Sequence, residues 1–330
     1  MIEQMQEGEW HFEEVPCPCG GHEFLVVALQ DRFGIPSPIS ICRRCGLLQS
    51  NPRLTEHAYV EFYTHYYRTI YMGLEPEGLF QEQRRRGGAI LRAFQKQTGS
   101  RLKTGAIVLE VGAGAGGILS LFAEGGCKVA GCDFDNRFLE YGRANGVTLY
   151  AGNSDTLREQ APADVVILCH VLEHMLDPIG ELRKIAALLK PEGVLFIQVP
   201  GLDYELFRYH RNGHLYLDFL DYAQSAHTYH FTRSTLRWMV NQAGFSDLSL
   251  NSEVTGFFKA TGSNAAGELL PYSDTKFSAD ASARTLRRLQ WMESRHQRTR
   301  NIETLAWRIW QWGSARLLQT LVAVKHRIVK

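Results

Sequence analysis

The segment Ala106-Ile-Val-Leu-Glu-Val-Gly-Ala-Gly-Ala-Gly-Gly117 decides the fold of this chain. Its first half is a short, mostly apolar run, its second half is a loop of glycine and alanine, and Ile118, Leu119 and Phe122 then recur at helical spacing. A strand, a glycine loop and a helix in this order place backbone amides at a helix N-terminus, where a ligand can approach closely because no side chain intervenes. The segment therefore predicts the start of a nucleotide-binding unit.

The residues that follow alternate between strand and helix patterns. Apolar runs predict strands at 128–133, 147–150, 164–169 and 194–199. Helices are predicted between these strands, and a further helix after them has Thr232 as its N-cap. Strands that are apolar throughout indicate a parallel sheet covered on both faces, with its ligand at the carboxyl ends of the strands. Asp133 ends such a strand, 23 residues after Glu110, a spacing that suits a carboxylate gripping ribose hydroxyls.

These motifs resemble those of the class I S-adenosylmethionine-dependent methyltransferases. Glu110-Val-Gly-Ala-Gly-Ala-Gly116 is similar to the first motif of that family, Gly152-Asn-Ser-Asp155 to its adenine loop, and Cys169-His-Val-Leu-Glu-His174 to the fourth motif of its small-molecule branch. The resemblance implies an α/β, Rossmann-like core of seven strands within residues 61–262, which binds S-adenosylmethionine. The cofactor-binding residues that it implies are Glu110, Gly112, Gly114, Gly116, Asp133, Asn153, Ser154 and Cys169.

The fourth motif also holds the predicted catalytic residues. Methyl transfer from a sulfonium is an in-line displacement, and an acceptor hydroxyl or acidic carbon must also lose a proton. His170, Glu173 and His174 are predicted to carry that step. A helix starting after Cys169 would put both imidazoles on one face. The alternative is that His174 caps or packs this helix and Glu173 only supports the loop.

The segment after the fifth strand, residues 204–231, is rich in histidine and tyrosine. It follows the carboxyl end of a parallel strand, so we expect it to cover the cofactor and to form the acceptor pocket. A metal site from His227 and His230 is less favoured, because no carboxylate joins them at ligand spacing. The predicted substrate-binding residues are His210, His214, Tyr216, His227 and His230.

Four of the seven cysteines are crowded near the N-terminus, as Cys17-Pro-Cys19-Gly and Cys42-Arg-Arg-Cys45-Gly. Two thiolate pairs, each followed by glycine, predict a zinc ribbon within residues 1–60, although the first pair is one residue shorter than usual. Four sulfur ligands leave no position for water, so such a zinc would be structural. Four buried or redox-active thiols are the alternative reading.

Two other segments keep more than one interpretation. The tyrosines between residues 59 and 71 are predicted either as the core of helices that cap the main domain or as the lid of a pocket. The extension at 263–330 is basic, with eleven Lys or Arg against three acids from Asp280 onward, a net +8. Its helical pattern favours packing on the main domain or on a second copy of the chain, and it also allows contact with an anionic membrane surface or a membrane-bound glycosyltransferase.

Composition supports an enzyme of the cytoplasm, with possible peripheral contact to the membrane. The formal net charge is +1, the first ten residues are acidic rather than a signal sequence, and nucleic acid is not expected as an obligatory partner. The cysteine pairs together with the core resemble sugar C-methyltransferases and other enzymes of polysaccharide and secondary-metabolite pathways. The predicted reaction is therefore methyl transfer to a small molecule, and the first candidate acceptor is a sugar or nucleotide-sugar. The rivals are an RNA methyltransferase that uses the ribbon, and a catalytically silent cofactor-binding adaptor.

Overall fold

The computed structural model describes residues 10–73, 75–99, 101–202, 223–261 and six positions between 283 and 290 of the 330-residue chain. Its centre is a mixed sheet of seven strands. Within these described ranges, no helix has the length and apolar character needed to cross a membrane. His210, His214, Tyr216 and the basic helices predicted beyond residue 290 lie outside the described residues.

Residues 10–54, called here the N-terminal unit, contain short strands and two tight turns that carry the cysteines. The strands are β1 (Phe12–Glu13), β2 (Phe24–Gln30), β3 (Pro36–Cys42), β4 (Leu48–Ser50) and β5 (Arg53–Leu54). β2, β3 and β4 form an antiparallel sheet, and β1 pairs with β5. The four cysteines are buried in one cluster with residues of the main sheet such as Val166 and Leu195. The N-terminal unit therefore packs directly on the main domain.

Two helical segments connect the N-terminal unit to the main sheet. α1 (Glu56–Phe62) starts at Thr55, whose hydroxyl accepts a hydrogen bond from the Ala58 amide at 3.4 Å. It runs into π-helical turns (Tyr63–Met72), and α2 (Pro76–Thr98) follows. The tyrosine rings pack on each other and on the fully buried Phe62, with Tyr63 and Tyr67 stacked at 4.5 Å between centroids. This packing favours the core interpretation of the tyrosines.

The main domain repeats strand and helix as predicted. Its elements are β6 (Ile107–Val111), α3 (Gly117–Glu124), β7 (Lys128–Asp133), α4 (Asn136–Ala144), β8 (Leu149–Ala151), β9 (Ala163–Cys169), α5 (Pro178–Leu188), β10 (Leu189–Gln198), β11 (Tyr229–His230), α6 (Arg233–Gln242), β12 (Phe245–Leu250) and β13 (Thr255–Ala260). The strand order is β12-β13-β10-β9-β6-β7-β8. The five strands from β10 to β8 are parallel, and β13 and β12 close the sheet antiparallel. The predicted Rossmann-like core of seven strands is thus confirmed.

Local sequence signals account for the start of α6 and for its buried face. The hydroxyl of Thr232 accepts a hydrogen bond from the Thr235 amide at 3.2 Å, and the Thr235 side chain bonds back to the Thr232 amide at 3.0 Å. This reciprocal cap satisfies amides that the first helical turn leaves without partners. The inward residues Leu236, Met239 and Val240 are fully buried, which confirms the predicted stripe.

The N-terminal unit is joined to the histidine-rich segment through β11. Tyr229 pairs with Gln49 and His230 with Leu48, so β11 becomes a fourth strand of the N-terminal sheet. The Ser50 amide also donates to the Thr228 carbonyl at 2.9 Å. The buried Leu289, from the C-terminal part of the described chain, lies in a cluster with residues of this N-terminal sheet, such as Ile39 and Leu48. The N-terminal unit consequently holds residues 227–230 in place beside the main sheet.

Candidate active site

The glycine loop after β6 has a backbone that only glycine adopts readily. Gly112, Gly114 and Gly116 have φ values of +73°, +52° and +77°. The amides of Gly112 and Ala113 both donate to the Cys132 carbonyl, at 2.8 and 2.9 Å, which ties the loop to β7. A Cβ atom at Gly112 would lie 2.3 Å from Val171 Cγ2, so the space there is fully used.

Helix α2 supports the loop from the other side through Gln83. The Gln83 side chain donates to the Ala113 carbonyl at 2.9 Å and accepts from the Gly117 amide at 3.1 Å. Both bonds lie in the buried interior. Sequence reasoning missed Gln83, because nothing in the pattern of α2 distinguishes this glutamine from those of a solvated helix face.

Asp133, the last residue of β7, lies against the glycine loop. Its Oδ2 accepts a hydrogen bond from the Gly114 amide at 2.9 Å, and its Oδ1 accepts one from the Asp135 amide at 3.0 Å. The next side chain, Phe134, is 79% exposed at the carboxyl end of the strand. An apolar ring this exposed offers a flat surface for a planar ligand group. The sequence signal for it was an aromatic residue between two acids directly after a strand.

Asn153 and Ser154 make local bonds in this structure. Asn153 caps the 3₁₀ turn Ser154–Gln160 by accepting from the Asp155 amide at 3.0 Å. The buried Ser154 hydroxyl donates to Glu181 on α5 at 2.8 Å. The single hydrogen of this hydroxyl is therefore used by the fold, and the cofactor-binding role of both residues stays a prediction.

Glu110 is buried at the end of β6, beneath the loop. Among the described residues its Oε2 has no hydrogen-bond partner. Burial, followed by the charge of Asp133, raises the pKa of this carboxyl well above its usual range, and Arg86 on α2 opposes that shift. Desolvation also raises the pKa of the neighbouring Cys169 thiol to about 12, which keeps the thiol protonated and unreactive at neutral pH. Arg86, which sequence reasoning did not select, thus lies close to two predicted cofactor-binding residues.

The fourth-motif residues lie after β9, but not on the predicted helix. His170 has a φ of +58°, its amide donates to the Gln198 carbonyl at 2.8 Å, and only a short 3₁₀ turn (Leu172–His174) follows. The prediction of a helix starting after Cys169 is therefore wrong, because His170 is left-handed and Val171 is also outside the helical region, so no right-handed helical turn includes His170. Both imidazoles nevertheless approach the buried Glu173, with His170 Nδ1 3.5 Å and His174 Nε2 3.7 Å from its Oε1.

His170 and His174 differ in exposure and in bonding. The His170 side chain is 32% exposed, whereas that of His174 is 12% exposed. His174 Nδ1 contacts the Ala226 carbonyl at 2.9 Å and the Tyr63 hydroxyl, and burial lowers its pKa. The Tyr59 hydroxyl lies 2.6 Å from the His174 carbonyl and 2.9 Å from that of Ala226. His174 is thus held in the interior, and His170 is the imidazole that reaches the surface.

His227 and His230 lie behind His174. The rings of His174 and His227 are 4.8 Å apart between centroids, and those of His227 and His230 are 5.7 Å apart. Burial lowers the pKa of His227 well below its usual value and that of His230 to about 4, so both rings are neutral. The structure brings these two predicted substrate residues together with the fourth motif, and their contact with substrate stays a prediction.

The four N-terminal cysteines form a compact group of free thiols. Cys17 and Cys45 sulfurs are 3.5 Å apart, those of Cys19 and Cys42 are 3.7 Å apart, and all four lie within 4.8 Å of one another. Tetrahedral zinc with bonds of about 2.3 Å needs sulfurs about 3.8 Å apart. The Leu47 amide also points at Cys45 Sγ at 3.5 Å, as amides around a thiolate do. The donor set and its spacing fit a tetrahedral zinc ion.

Comparison with known proteins places the main domain in a family. A family model described as "Methyltransferase domain" matches residues 80–250. The chain is 34% identical over 119 residues to a ubiquinone biosynthesis O-methyltransferase of Haemophilus ducreyi, covering 32% of this chain and 50% of that protein. It is 30% identical over 133 residues to the enzyme of that name from Nitrosospira multiformis, covering 34% and 56%.

The chain thus spans about half the length of the curated relatives it matches. Among solved structures, the 1,6-didemethyltoxoflavin N1-methyltransferase of Burkholderia thailandensis aligns over 72% of this chain and 97% of its own, with 19% identity and a TM-score of 0.45. The family model covers more than half of the 330 residues. This protein therefore belongs to the methyltransferase domain family.

Proposed function

We propose that this protein transfers a methyl group from S-adenosylmethionine to a small-molecule acceptor. One observation carries the proposal: Glu110, the glycine loop and Asp133 converge at the carboxyl ends of β6 and β7, where a doubly wound sheet binds its ligand. Family membership gives the reaction class.

Each residue at this edge of the sheet suits a different chemical group of the cofactor. Asp133 suits ribose hydroxyls, and the exposed Phe134 suits the face of an adenine ring. The unpartnered oxygen of Glu110 suits a positively charged amino group, and Arg86 suits a carboxylate. When bound, S-adenosylmethionine supplies a methyl group on a cationic sulfur. The desolvated carboxyl of Glu110, whose pKa is raised in the cofactor-free protein, would ionise beside a bound ammonium group, because the ligand's charge offsets the cost of a buried carboxylate.

His170 is the proposed proton acceptor. Its Nδ1 faces Glu173, so a proton on Nδ1 leaves Nε2 with a free lone pair on an imidazole that reaches the surface. Glu173 would orient the ring and stabilise the imidazolium that forms, as a buried carboxylate does beside a catalytic histidine. His174, by contrast, has its Nδ1 bonded in the interior and acts as a positioning residue.

The acceptor is proposed as a small molecule with an acidic hydroxyl or carbon. A sugar or nucleotide-sugar remains the first candidate, supported by the resemblance of the cysteine pairs and core to sugar C-methyltransferases. The curated relatives are named for ubiquinone biosynthesis, so a phenolic acceptor is the second. We also propose that the four cysteines hold a structural zinc ion, which the spacing of their sulfurs supports.

An acceptor screen tests the proposal. Purified protein with S-adenosylmethionine is offered nucleotide-sugars, free phenols and a short RNA, and formation of S-adenosylhomocysteine is followed. With the acceptor that reacts, His170→Gln should lower kcat about 10²- to 10⁴-fold, the usual contribution of a general base, without weakening cofactor binding. The exposed His57→Gln is the matched control.

The outcomes separate the rivals. Turnover of RNA alone would support an RNA methyltransferase, and cofactor binding without turnover of any acceptor would support a silent adaptor. An unchanged kcat in His170→Gln would remove His170 from the chemistry.

A further inference from the structure

Glu173, His174 and His227 bring three metal-binding side chains to one place. One ligand atom of each lies within 4.8 Å of the others, and both Glu173 and His227 are buried. Glu173 and His174 come from the turn after β9, whereas His227 comes from the segment held by the N-terminal unit. Sequence spacing could not show this group, because some 50 residues separate its two halves.

The carboxylate of Glu173 is buried without a hydrogen-bond partner. Its side chain is 2% exposed, and neither oxygen receives a hydrogen bond from the residues that the structure describes. A buried carboxylate that lacks both a donor and a cation is costly, so such groups normally are paired or bind a metal. Two imidazole nitrogens lie close to its Oε1, His170 Nδ1 at 3.5 Å and His174 Nε2 at 3.7 Å, both beyond ordinary hydrogen-bond length.

The bonding of His174 leaves a lone pair facing this carboxylate. Its Nδ1 lies 2.9 Å from the Ala226 carbonyl, and a carbonyl oxygen can only accept, so this contact favours the tautomer with the proton on Nδ1. The Tyr63 hydroxyl, which also contacts Nδ1, can act as an acceptor in that tautomer. In the neutral ring, Nε2 is then unprotonated and lies 3.7 Å from Glu173 Oε1. Two electron-rich atoms that face each other in the interior need a positive charge between them.

The same bonding is typical of a metal-ligating histidine. Such a residue usually donates its second ring N–H to a backbone carbonyl, which fixes the tautomer and aims the other nitrogen at the metal.

We propose that Glu173, His174 and His227 form a binding site for a first-row divalent metal ion such as Zn²⁺. Two imidazoles and a carboxylate match the preference of these ions, and bonds of about 2.0–2.2 Å would draw the three ligand atoms closer together. Three protein ligands leave a fourth position open for water or an acceptor oxygen, whose pKa the ion would lower. That last consequence rests on the proposed methyl transfer, whereas the metal site itself does not.

Metal analysis tests the site without any activity measurement. The full-length wild type, Glu173→Gln and His227→Gln are saturated with Zn²⁺, freed of excess and analysed for zinc per chain. The exposed Glu61→Gln and His57→Gln are the controls. Each site variant should hold one equivalent less than the wild type and the controls. Equal zinc content in all five proteins would overturn the proposal. Because only the difference counts, the result does not depend on whether the cysteines bind zinc.

A Co²⁺ titration of the wild type keeps the test decisive if a variant fails to fold. Binding at the cysteines produces a thiolate charge-transfer band, whereas binding to nitrogen and oxygen ligands produces visible bands without further thiolate absorption. We expect the second type of signal as a separate equivalent. Its absence on saturation, with every bound Co²⁺ showing thiolate absorption, would overturn the proposal. If the wild type binds this metal ion but transfers no methyl group to any acceptor, the result would count against the proposed function and not against the metal site.

Discussion

The cysteine turns of the N-terminal unit and the strand-end site above β6 and β9 satisfy their polar groups in opposite ways. The cysteine group is compact, with four buried sulfurs within 4.8 Å of one another and the Leu47 amide directed at Cys45 Sγ. Among the described residues, the strand-end site has buried carboxyl oxygens without hydrogen-bond partners at Glu110 and Glu173, and a left-handed backbone at the non-glycine residue His170. Unsatisfied and strained groups cost stability and persist where ligand binding uses them. The comparison supports the proposal that the first region stabilises the fold and that the second binds the reactants.

Loss of the cysteine group should have the largest effect. The free energy of binding a structural zinc, about 10–16 kcal/mol in small zinc domains, is folding free energy. Cys42→Ser/Cys45→Ser should therefore lose one equivalent of zinc and unfold the N-terminal unit, as followed by metal analysis and limited proteolysis. Cys127→Ser, a thiol outside the group, is the control. A double variant as protease-resistant as that control would show that this region does not stabilise the fold.

A side chain at Gly112 should destabilise the strand-end site. Gly112→Ala places a Cβ at a φ of +73° and 2.3 Å from Val171 Cγ2. We expect a loss of about 1–3 kcal/mol in the free energy of unfolding from the backbone alone, with the clash added. Denaturant unfolding of the cofactor-free protein measures it. Adding Val171→Ala should restore only the part of the stability that is lost to the clash. A double variant as stable as the wild type would contradict the backbone argument.

Replacement of the Glu110 carboxyl by an amide should have the smallest effect on the free energy of unfolding, and the opposite sign. The folded protein holds a proton on this carboxyl that the unfolded chain releases, so stability falls as the pH rises through that range. Glu110→Gln should thus stabilise the cofactor-free protein by up to about 1–3 kcal/mol, more at alkaline than at acidic pH, while cofactor affinity falls.

Thermal unfolding at two pH values measures the Glu110 effect, with the exposed Glu140→Gln as control. A variant that is less stable than the wild type at alkaline pH would show that Glu110 is satisfied in the fold and would break the comparison.

The two regions also differ in what the sequence could predict. The cysteine pairs, the glycine loop and Asp133 are local patterns in which spacing along the chain fixes spacing in space. The strands followed from apolar runs of the right length, and the cap of α6 followed from Thr232. All of these features depend on residues within one turn or one strand.

The strand-end site was predicted less completely because long-range packing builds it. The left-handed residue His170 replaces the predicted helix, and Tyr63 and Ala226, which come from distant segments, set the tautomer of His174. Gln83 and Arg86 act from a helix whose sequence resembles a solvated face. Among the residues that sequence reasoning missed, Phe134 had a local signal, since an apolar ring between two acids after a strand is unusual unless a ligand covers it.

Calorimetric titration of S-adenosylhomocysteine into the wild type and Asp133→Ala tests the central claim most directly. The wild type should bind one equivalent, and the variant should bind about 1–3 kcal/mol more weakly, roughly 5- to 150-fold, because it loses charged hydrogen bonds. The surface variant Asp247→Ala should bind like the wild type. A wild type that does not bind, or an Asp133→Ala protein that binds equally well, would contradict the placement of the cofactor above β6 and β7.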